Sequence, residues 1–519
     1  MRIRIMLGIA AVGSTLGLAA PAAHAFGVAN NCTTPTSGSG TTLSPNQPCW
    51  VAGVYNDDYT GMSDISYAGP PAQQSGGHPF TGVTDFTVAG TSPAVNDIRV
   101  DITPGEYSNP LATPKCTDSQ LAGGSCPNNT QLGIVRLQAS LTGLPVYAVY
   151  SVYNMPLESS NCPNTASVEY VSDYSFYVPA TKQRVDICGS INKQPPYTLF
   201  YTIVAPPGAA TVSSTLIFWG MPGDSGHNPQ RGKSCFSVGS PCTIPASGPS
   251  VPSGKPFITN PTACLPSGQV TTLTLTASDG STAPAQSESK TPVPSIGCSS
   301  LHFSPKLKLQ LKGANQTAVG KHPTLIANLT QPSGQANIGF SKTTLPLSLA
   351  LDPNNSQHVC SVSAAFADTC PSKTLIGSAR ATTPLLSQPL TGKVYLVQGI
   401  RCTSGQPPSL QGVCPSGSQP IRTLPALLVA LRGQAMIDLH AQTATAHNKF
   451  LVTTFSNLPD LPDSTFQLTI NGGKRGILVV TGNKNLCSYS SQVAASVFTG
   501  KNGTNRKSNI KMTTPCKKH

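Results

Sequence analysis

The chain has 519 residues, a net charge of +13 and only 10% charged side chains, against roughly 25% in average proteins. Its 47 glycines and 48 prolines exclude an architecture of long helices. Beyond the first 25 residues no run approaches the ~18 apolar positions of a membrane-spanning helix.

The N-terminus reads as a secretory signal. Arg2 and Arg4 precede an apolar run from Ile5 to Ala20, and Ala23-His24-Ala25 supplies a small-residue cleavage site before Phe26. The 16 cysteines all follow it, an even number that suits disulfides in an exported protein. There is no Cys-x-x-Cys, and only His358 lies close to a cysteine, so neither a metal nor a cofactor is expected. Residues 26–80 form an irregular N-terminal segment. Its "NDDYTGMSD" (Asn56 to Asp64) clusters acids without EF-hand spacing and reads as a solvated loop rather than a calcium site.

Residues 81–300 form a first β-domain. Ile98, Val100 and Ile102 alternate with polar residues, the period of a half-buried strand. "CTDSQLAGGSCPNNTQLG" follows, from Cys116 to Gly133. The same pattern returns as "CSVSAAFADTCPSKTLIG", from Cys360 to Gly377: Cys, nine residues, Cys-Pro, two residues, Thr, one residue, Leu or Ile, Gly. The matched spacing predicts the bonds Cys116–Cys126 and Cys360–Cys370. Asp118 and Ser363 are the expected caps of a helical turn inside each loop, ended by Gly123-Gly124 in one and by Asp368 in the other. The expected counterpart of Ile98–Ile102 is the alternating Leu347-x-Leu349-x-Leu351. "SVYNM" (Ser151 to Met155) likewise matches "KVYLV" (Lys393 to Val397).

Twelve of the 14 tyrosines fall between residues 55 and 201, among them "VYAVYSVY" and "VEYVSDYSFYV". Such rings fill one face of a sheet, and exposed ones would suit carbohydrate recognition. Next comes "WGMPGDSGHNPQRG" (Trp219 to Gly232), which contains the Gly-Asp-Ser-Gly of trypsin-like proteases. His78, Asp97 and Ser225 stand in the protease's chain order, but 19 and 128 residues apart (78 to 97, 97 to 225). That fold requires roughly 45 and roughly 95. The tetrapeptide is therefore a strand-ending loop, and no catalytic residue is assigned.

Residues 301–519 form a second β-domain, after a Pro/Ser-rich boundary near 285–303. "KLKLQLK" (Lys306 to Lys312) and "TFQLTI" (Thr465 to Ile470) alternate in the strand period, as "VTTLTLTA" (Val270 to Ala277) does in the first. "LPDLPDS" (Leu458 to Ser464) reads as a Pro-braced turn. Proximity in sequence pairs Cys235 with Cys242, Cys402 with Cys414 and Cys487 with Cys516. Charge divides the halves: residues 26–300 hold 10 Lys and Arg against 15 Asp and Glu, residues 301–519 hold 21 against 5. The final stretch forms a basic tail whose Lys501, Arg506, Lys507, Lys511, Lys517 and Lys518 meet no acid. A one-signed half invites an anionic partner, outside the cell an envelope polymer or lipid headgroup, or serves solubility alone. No specific nucleic-acid motif occurs.

"TPGEYSNPLATPKC" (Thr103 to Cys116), "WGMPGDSGHNPQR", "PFITNPTAC" (Pro256 to Cys264) and "TTFSNLPDLPDSTFQLTINGG" (Thr453 to Gly473) occur in order around the two Cys-Pro units. Over about residues 80–516 the chain resembles a family of exported, Cys-containing, β-rich proteins of high-GC Gram-positive bacteria. The resemblance implies the organisation and no activity. The sequence thus predicts an all-β protein of two related, disulfide-braced, β-sandwich-like domains in tandem, with few short helical turns. Its expected role is non-enzymatic, as a secreted structural or binding protein of the cell envelope or extracellular space. The competing expectation is a carbohydrate-binding or carbohydrate-active protein that uses the tyrosine-rich first domain.

Overall fold

The structure, a computed structural model, describes residues 50–58, 72–87, 95–141, 144–165, 168–193, 195–204, 210–240, 242, 247–278, 280, 282–288, 294–404, 413–447 and 449–516. The signal segment, Cys32, Cys49, Lys517 and Lys518 lie outside the described residues, as does most of "NDDYTGMSD".

The chain is all-β and builds two sheets of the same design. Strands of the first sheet are β1 (Trp50–Tyr55), β2 (Thr81–Thr87), β3 (Val95–Asp101), β4 (Gln131–Leu141), β5 (Leu144–Met155) and β6 (Tyr170–Val178). They continue with β7 (Gln183–Ile191), β8 (Leu199–Val204), β9 (Ala210–Trp219), β10 (Val270–Ala277) and β11 (Thr282–Glu288). The second sheet has β12 (Lys306–Lys312), β13 (Thr324–Thr330), β14 (Ile338–Thr344), β15 (Leu375–Thr382), β16 (Leu390–Val397) and β17 (Ala426–Arg432). After these come β18 (Ile437–Ala446), β19 (Phe450–Phe455), β20 (Thr465–Ile470), β21 (Gln492–Gly500) and β22 (Asn505–Met512).

Spatial order in the first sheet is β1-β2-β9-β4-β5-β6-β7-β8-β3-β10-β11, with a short strand Cys235–Val238 added beside β5. The second runs β12-β13-β20-β15-β16-β17-β18-β19-β14-β21-β22. Adding eleven to each label converts one order into the other. The two domains therefore share one topology, as an internal duplication requires. In the second domain the sheet closes on itself: Leu311 N donates to Thr513 O at 2.8 Å and Thr513 N to Leu309 O at 3.0 Å. Closure removes the open edges that would otherwise template aggregation.

Two expectations about strands change. Trp50–Tyr55, assigned to an irregular segment, is β1, and the apolar Ala52, Val54 and Tyr55 are buried in the first core. The counterpart of β3 is β14, not Leu347–Leu351, because Leu349–Leu351 pairs with Leu478–Val480 in a separate small sheet. Alternating leucines at 347, 349 and 351 mark strand-like period but cannot say which sheet the strand joins.

The repeated Cys-Pro unit is the same object in both copies. Cys116 bonds Cys126 and Cys360 bonds Cys370. Each loop encloses one helical turn, α1 (Asp118–Ala122) and α2 (Val362–Phe366). The caps stand elsewhere than Asp118 and Ser363: the Oγ1 of Thr117 accepts from Gln120 N at 3.3 Å, and the Oγ of Ser361 accepts from Ala364 N at 3.2 Å. The hydroxyl directly after each first cysteine has the extended backbone that a cap needs, and Asp118 and Ser363 follow inside the helix. Gly124 and Asp368 both end the turn in the left-handed region, at φ 63° and 55°. The repeated threonine bonds back to the proline carbonyl, Thr130 Oγ1 to Pro127 O at 2.6 Å and Thr374 Oγ1 to Pro371 O at 2.7 Å. The closing glycine is required by close packing. A Cβ on Gly133 would lie 2.0 Å from the Ile217 carbonyl oxygen, and one on Gly377 2.0 Å from that of Thr469.

Cys235–Cys242, Cys402–Cys414 and Cys487–Cys516 are bonded, together with Cys162–Cys188 and Cys264–Cys298. Three of the four stretches that carried the family resemblance meet where the two domains join. Asp460, in the turn before β20, accepts from Thr262 N at 3.1 Å, Thr262 Oγ1 at 2.6 Å, Ala263 N at 3.2 Å and Asn337 Nδ2 at 2.9 Å. It lies so close over Gly105 that a Cβ there would be 2.4 Å from its Oδ2. Elsewhere along the junction Tyr197 donates from its hydroxyl to Asp438 O at 2.7 Å, and Asp438 N donates to Lys193 O at 3.0 Å.

Candidate functional site

The Gly-Asp-Ser-Gly stretch forms a one-sided 3-10 turn, Ser225–Gln230, capped by Asp224 whose carboxylate accepts from Gly226 N at 2.8 Å. Ser225 is exposed there. His78 bonds Ile258 O and Thr259 Oγ1, and Asp97 accepts from Asn96, so the three residues of the protease order do not bond one another. The turn's conspicuous residue is His227. It is fully buried, stacked on Trp219 at 4.7 Å between ring centroids, and tilted on Phe80 at 4.0 Å. Burial pushes its imidazole below the ordinary value, against the pull of Asp58 3.6 Å away. Arg231 covers the other ring of the stack, 4.8 Å from the Trp219 centroid, and donates to Pro222 O at 2.7 Å. These groups knit a loop to β9.

The described tyrosines of the first domain divide: Tyr55, Tyr150, Tyr174, Tyr197 and Tyr201 are buried, and Tyr107, Tyr147, Tyr153, Tyr170 and Tyr177 are half-buried. Tyr150, Tyr174 and Tyr201 are buried, and Tyr174 packs edge-on against Phe218 and Phe257 with centroids 5.5 and 5.2 Å away. A ring consumed by the core has no face left for a sugar, so Tyr150, Tyr174 and Tyr201 serve packing.

The charge has a different layout from the one read in the sequence. Residues 505–512 are not a tail: they are β22, with Ile510 and Met512 buried and Cys516 bonded to Cys487. The hydrophilic letters of "NRKSNIKM" hide a strand because only two of its residues are buried. Lys501 is half-buried near Asp460, and burial pushes its ammonium below the ordinary value. Arg506 donates from Nε to Phe303 O at 2.8 Å. Lys507 and Lys511 are exposed on the outer face of β22.

Closure of the sheet sets these two lysines beside three more. Gln310 and Thr513 pair across the seam and so point to the same side. Lys306, Lys308 and Lys312 share the side of Gln310, and Lys507 and Lys511 share that of Thr513. Lys342 on β14, Arg380 on β15 and Lys393 on β16 extend the face, all exposed. The eight strands β14-β21-β22-β12-β13-β20-β15-β16 are neighbours in that order and contain no Asp or Glu. Their counterparts in the first domain carry Asp85, Asp97, Asp101 and Glu288, with Arg99 and Arg136 as the only bases. Among the described residues no ion pair involves any of the eight outer bases. The signal was present in the sequence as alternation: in "KLKLQLK" every lysine falls on one side.

Among the described residues no group of three His, Cys, Asp or Glu side chains is placed to hold a metal, and no helix is long and apolar enough to cross a membrane. No family model and no curated protein matches the chain. Among solved structures it is aligned with a biofilm-associated protein B domain at 9% identity and a TM-score of 0.15, covering 94% of this chain and 88% of the other. The eight N-terminal Ig domains of the Down syndrome cell adhesion molecule align at 8% identity and a TM-score of 0.08, covering 91% and 69%. Likeness this low carries no argument about this chain.

Proposed function

We propose that this is an exported, non-enzymatic binding protein of the cell envelope or extracellular space, whose second domain lays the acid-free outer face of its closed sheet on an anionic polymer. The carrying observation is the seam, where Lys507 and Lys511 of β22 stand beside Lys306, Lys308 and Lys312 of β12. Charges held on rigid strands and left without carboxylate partners add their fields over one surface. Seven disulfides among the described residues support an oxidising compartment, as does the signal-like N-terminus.

The test uses the full mature chain against immobilised teichoic acid. Binding should fall steeply between 50 and 500 mM salt, where the Debye length drops from roughly 14 to roughly 4 Å. Replacing Lys306, Lys308, Lys312, Lys507 and Lys511 by Gln should weaken binding at least tenfold with an unchanged melting profile. Binding that ignores salt, or that survives the five substitutions, refutes the reading.

A further inference from the structure

The shared topology allows the two interiors to be compared residue by residue. Gly133 pairs with Val152 directly after a bulge, and Gly377 pairs with Val394 after a bulge at the same place. Counting outward from these anchors through the strand registers, Tyr174 corresponds to Leu427 and Tyr201 to Thr453. Phe218 corresponds to Ile470, since each faces the anchoring glycine. In the first domain Tyr174, Tyr201 and Phe218 lie within 6.1 Å of one another by ring centroid and fill the core. The second domain has smaller side chains at these three positions, while Phe455, Phe466 and Phe498 stand where the first domain has Ile203, Ser214 and Leu275.

With this different arrangement of large and small side chains, the second domain holds a cavity of about 180 Å³, lined by Leu325, Leu329, Leu427, Thr453, Phe466 and Ile470 among others. Its effect shows along β13. That strand lies within the sheet between β12 and β20, yet its inward Leu325, Ala327 and Leu329 all keep accessible surface. Their open surface faces the hollow. A hydrocarbon-lined void of comparable size stays dry and takes up small apolar molecules.

Polar groups gather where the first domain covers the cavity. Tyr107, Ser108 and Ser172 contribute from that side, and Asp463 is the one charged residue of the lining. Asp463 belongs to the same turn as Asp460, which clamps that turn to Thr262 and over Gly105. Asp463 is half-buried, and burial pushes its carboxyl up to about 7.

We propose that the second domain binds the hydrocarbon chain of a single-chain amphiphile in this cavity, with an uncharged, hydrogen-bonding head such as an alcohol at the domain junction. The site is independent of the basic outer face, because it uses the opposite side of the same strands. An anionic head is disfavoured by the Asp463 carboxyl.

The experiment is calorimetric titration of the full mature protein, stripped of lipid, with n-alcohols from hexanol to dodecanol at pH 7.5. One molecule should bind per chain. Each added methylene should tighten binding about fourfold until the cavity is full. Thr453→Tyr and Ile470→Phe restore rings that the first domain already accommodates, and each should weaken binding at least tenfold with an unchanged circular dichroism spectrum. Xenon uptake by the wild-type chain, followed by NMR, tests the cavity without any variant and should be saturable. Affinity independent of chain length, equal binding by folded filled variants, or absence of xenon uptake would overturn the site. Decanoate binding as tightly as decanol would overturn the assignment of the head.

Discussion

Glu106→Gln isolates one buried carboxyl whose ionisation opposes folding. Glu106 lies between Gly105 and Tyr107 at the domain junction, is 9% exposed, and burial alone pushes its pKa from 4.5 up to about 7. Below pH 4.5 the group is protonated in both the folded and the unfolded chain, so its contribution is fully present. As pH rises the unfolded chain ionises first, and folding stability falls by about 1.4 kcal/mol per pH unit until the folded group also ionises near 7. Between pH 5 and pH 8 the wild type should therefore lose about 2.5 kcal/mol that the glutamine variant retains. For a domain of this size that is a difference of about 5–10 °C in the melting shift. Thermal unfolding of both proteins at pH 5, 6, 7 and 8 measures it, and every other titrating group cancels in the comparison. Parallel profiles for the two proteins would show that the carboxyl reaches water or a donor, and would refute the reasoning.

The two Cys-Pro loops close over the same sequence separation of 10, so removing either bond by paired Cys→Ser changes should cost about 3 kcal/mol in denaturant unfolding. Gly377→Ala must push β15 away from the Thr469 carbonyl and should cost at least about 2 kcal/mol, measured in the same way. Ser225→Ala should change stability by less than about 0.5 kcal/mol, whereas His227→Ala unstacks a buried ring from Trp219 and should cost about 3 kcal/mol. Reaction of Ser225 with a fluorophosphonate would contradict the assignment of that turn as structural.

The parts of the fold that sequence discloses are those where local chemistry is obligatory. The Cys-Pro unit was legible because each of its fixed letters has a fixed job: a bond, a turn, a hydroxyl on a carbonyl, and a glycine under a neighbouring strand. The strand "KLKLQLK" was legible by period. What stayed hidden depends on partners far along the chain. The last strand looked like a tail because its exposed residues outnumber Ile510 and Met512, and only the seam with β12 explains its lysines. The role of Asp460 could not be read from "LPDLPDS", since its donors come from residues 262, 263 and 337. The hollow was equally invisible, because Leu427, Thr453 and Ile470 are ordinary core letters until they are set beside Tyr174, Tyr201 and Phe218.

Duplication leaves two copies free to diverge, and here strand order, bulge and disulfide loop stay fixed while side chains on both sides of one sheet differ. Outside, acids disappear and lysines accumulate. Inside, the rings at the positions of Tyr174, Tyr201 and Phe218 give way to smaller side chains and a void lies beside them. The second change is costly when the void is empty: about 24 cal/mol per Å³ over about 180 Å³ amounts to about 4 kcal/mol, a large share of the 5–15 kcal/mol that typically holds a domain together. A closed sheet supplies part of the offset, since the hydrogen bonds from Leu311 to Thr513 and from Thr513 to Leu309 join its two edges. A guest supplies more, because a ligand at a hundred times its dissociation constant adds about 2.7 kcal/mol to the state that binds it. That stabilisation would fall on the second domain alone. The hollow beside Tyr201 and Phe218 in the first domain is only about 40 Å³, too small for the same guest, so the two unfolding transitions should separate as the guest is added.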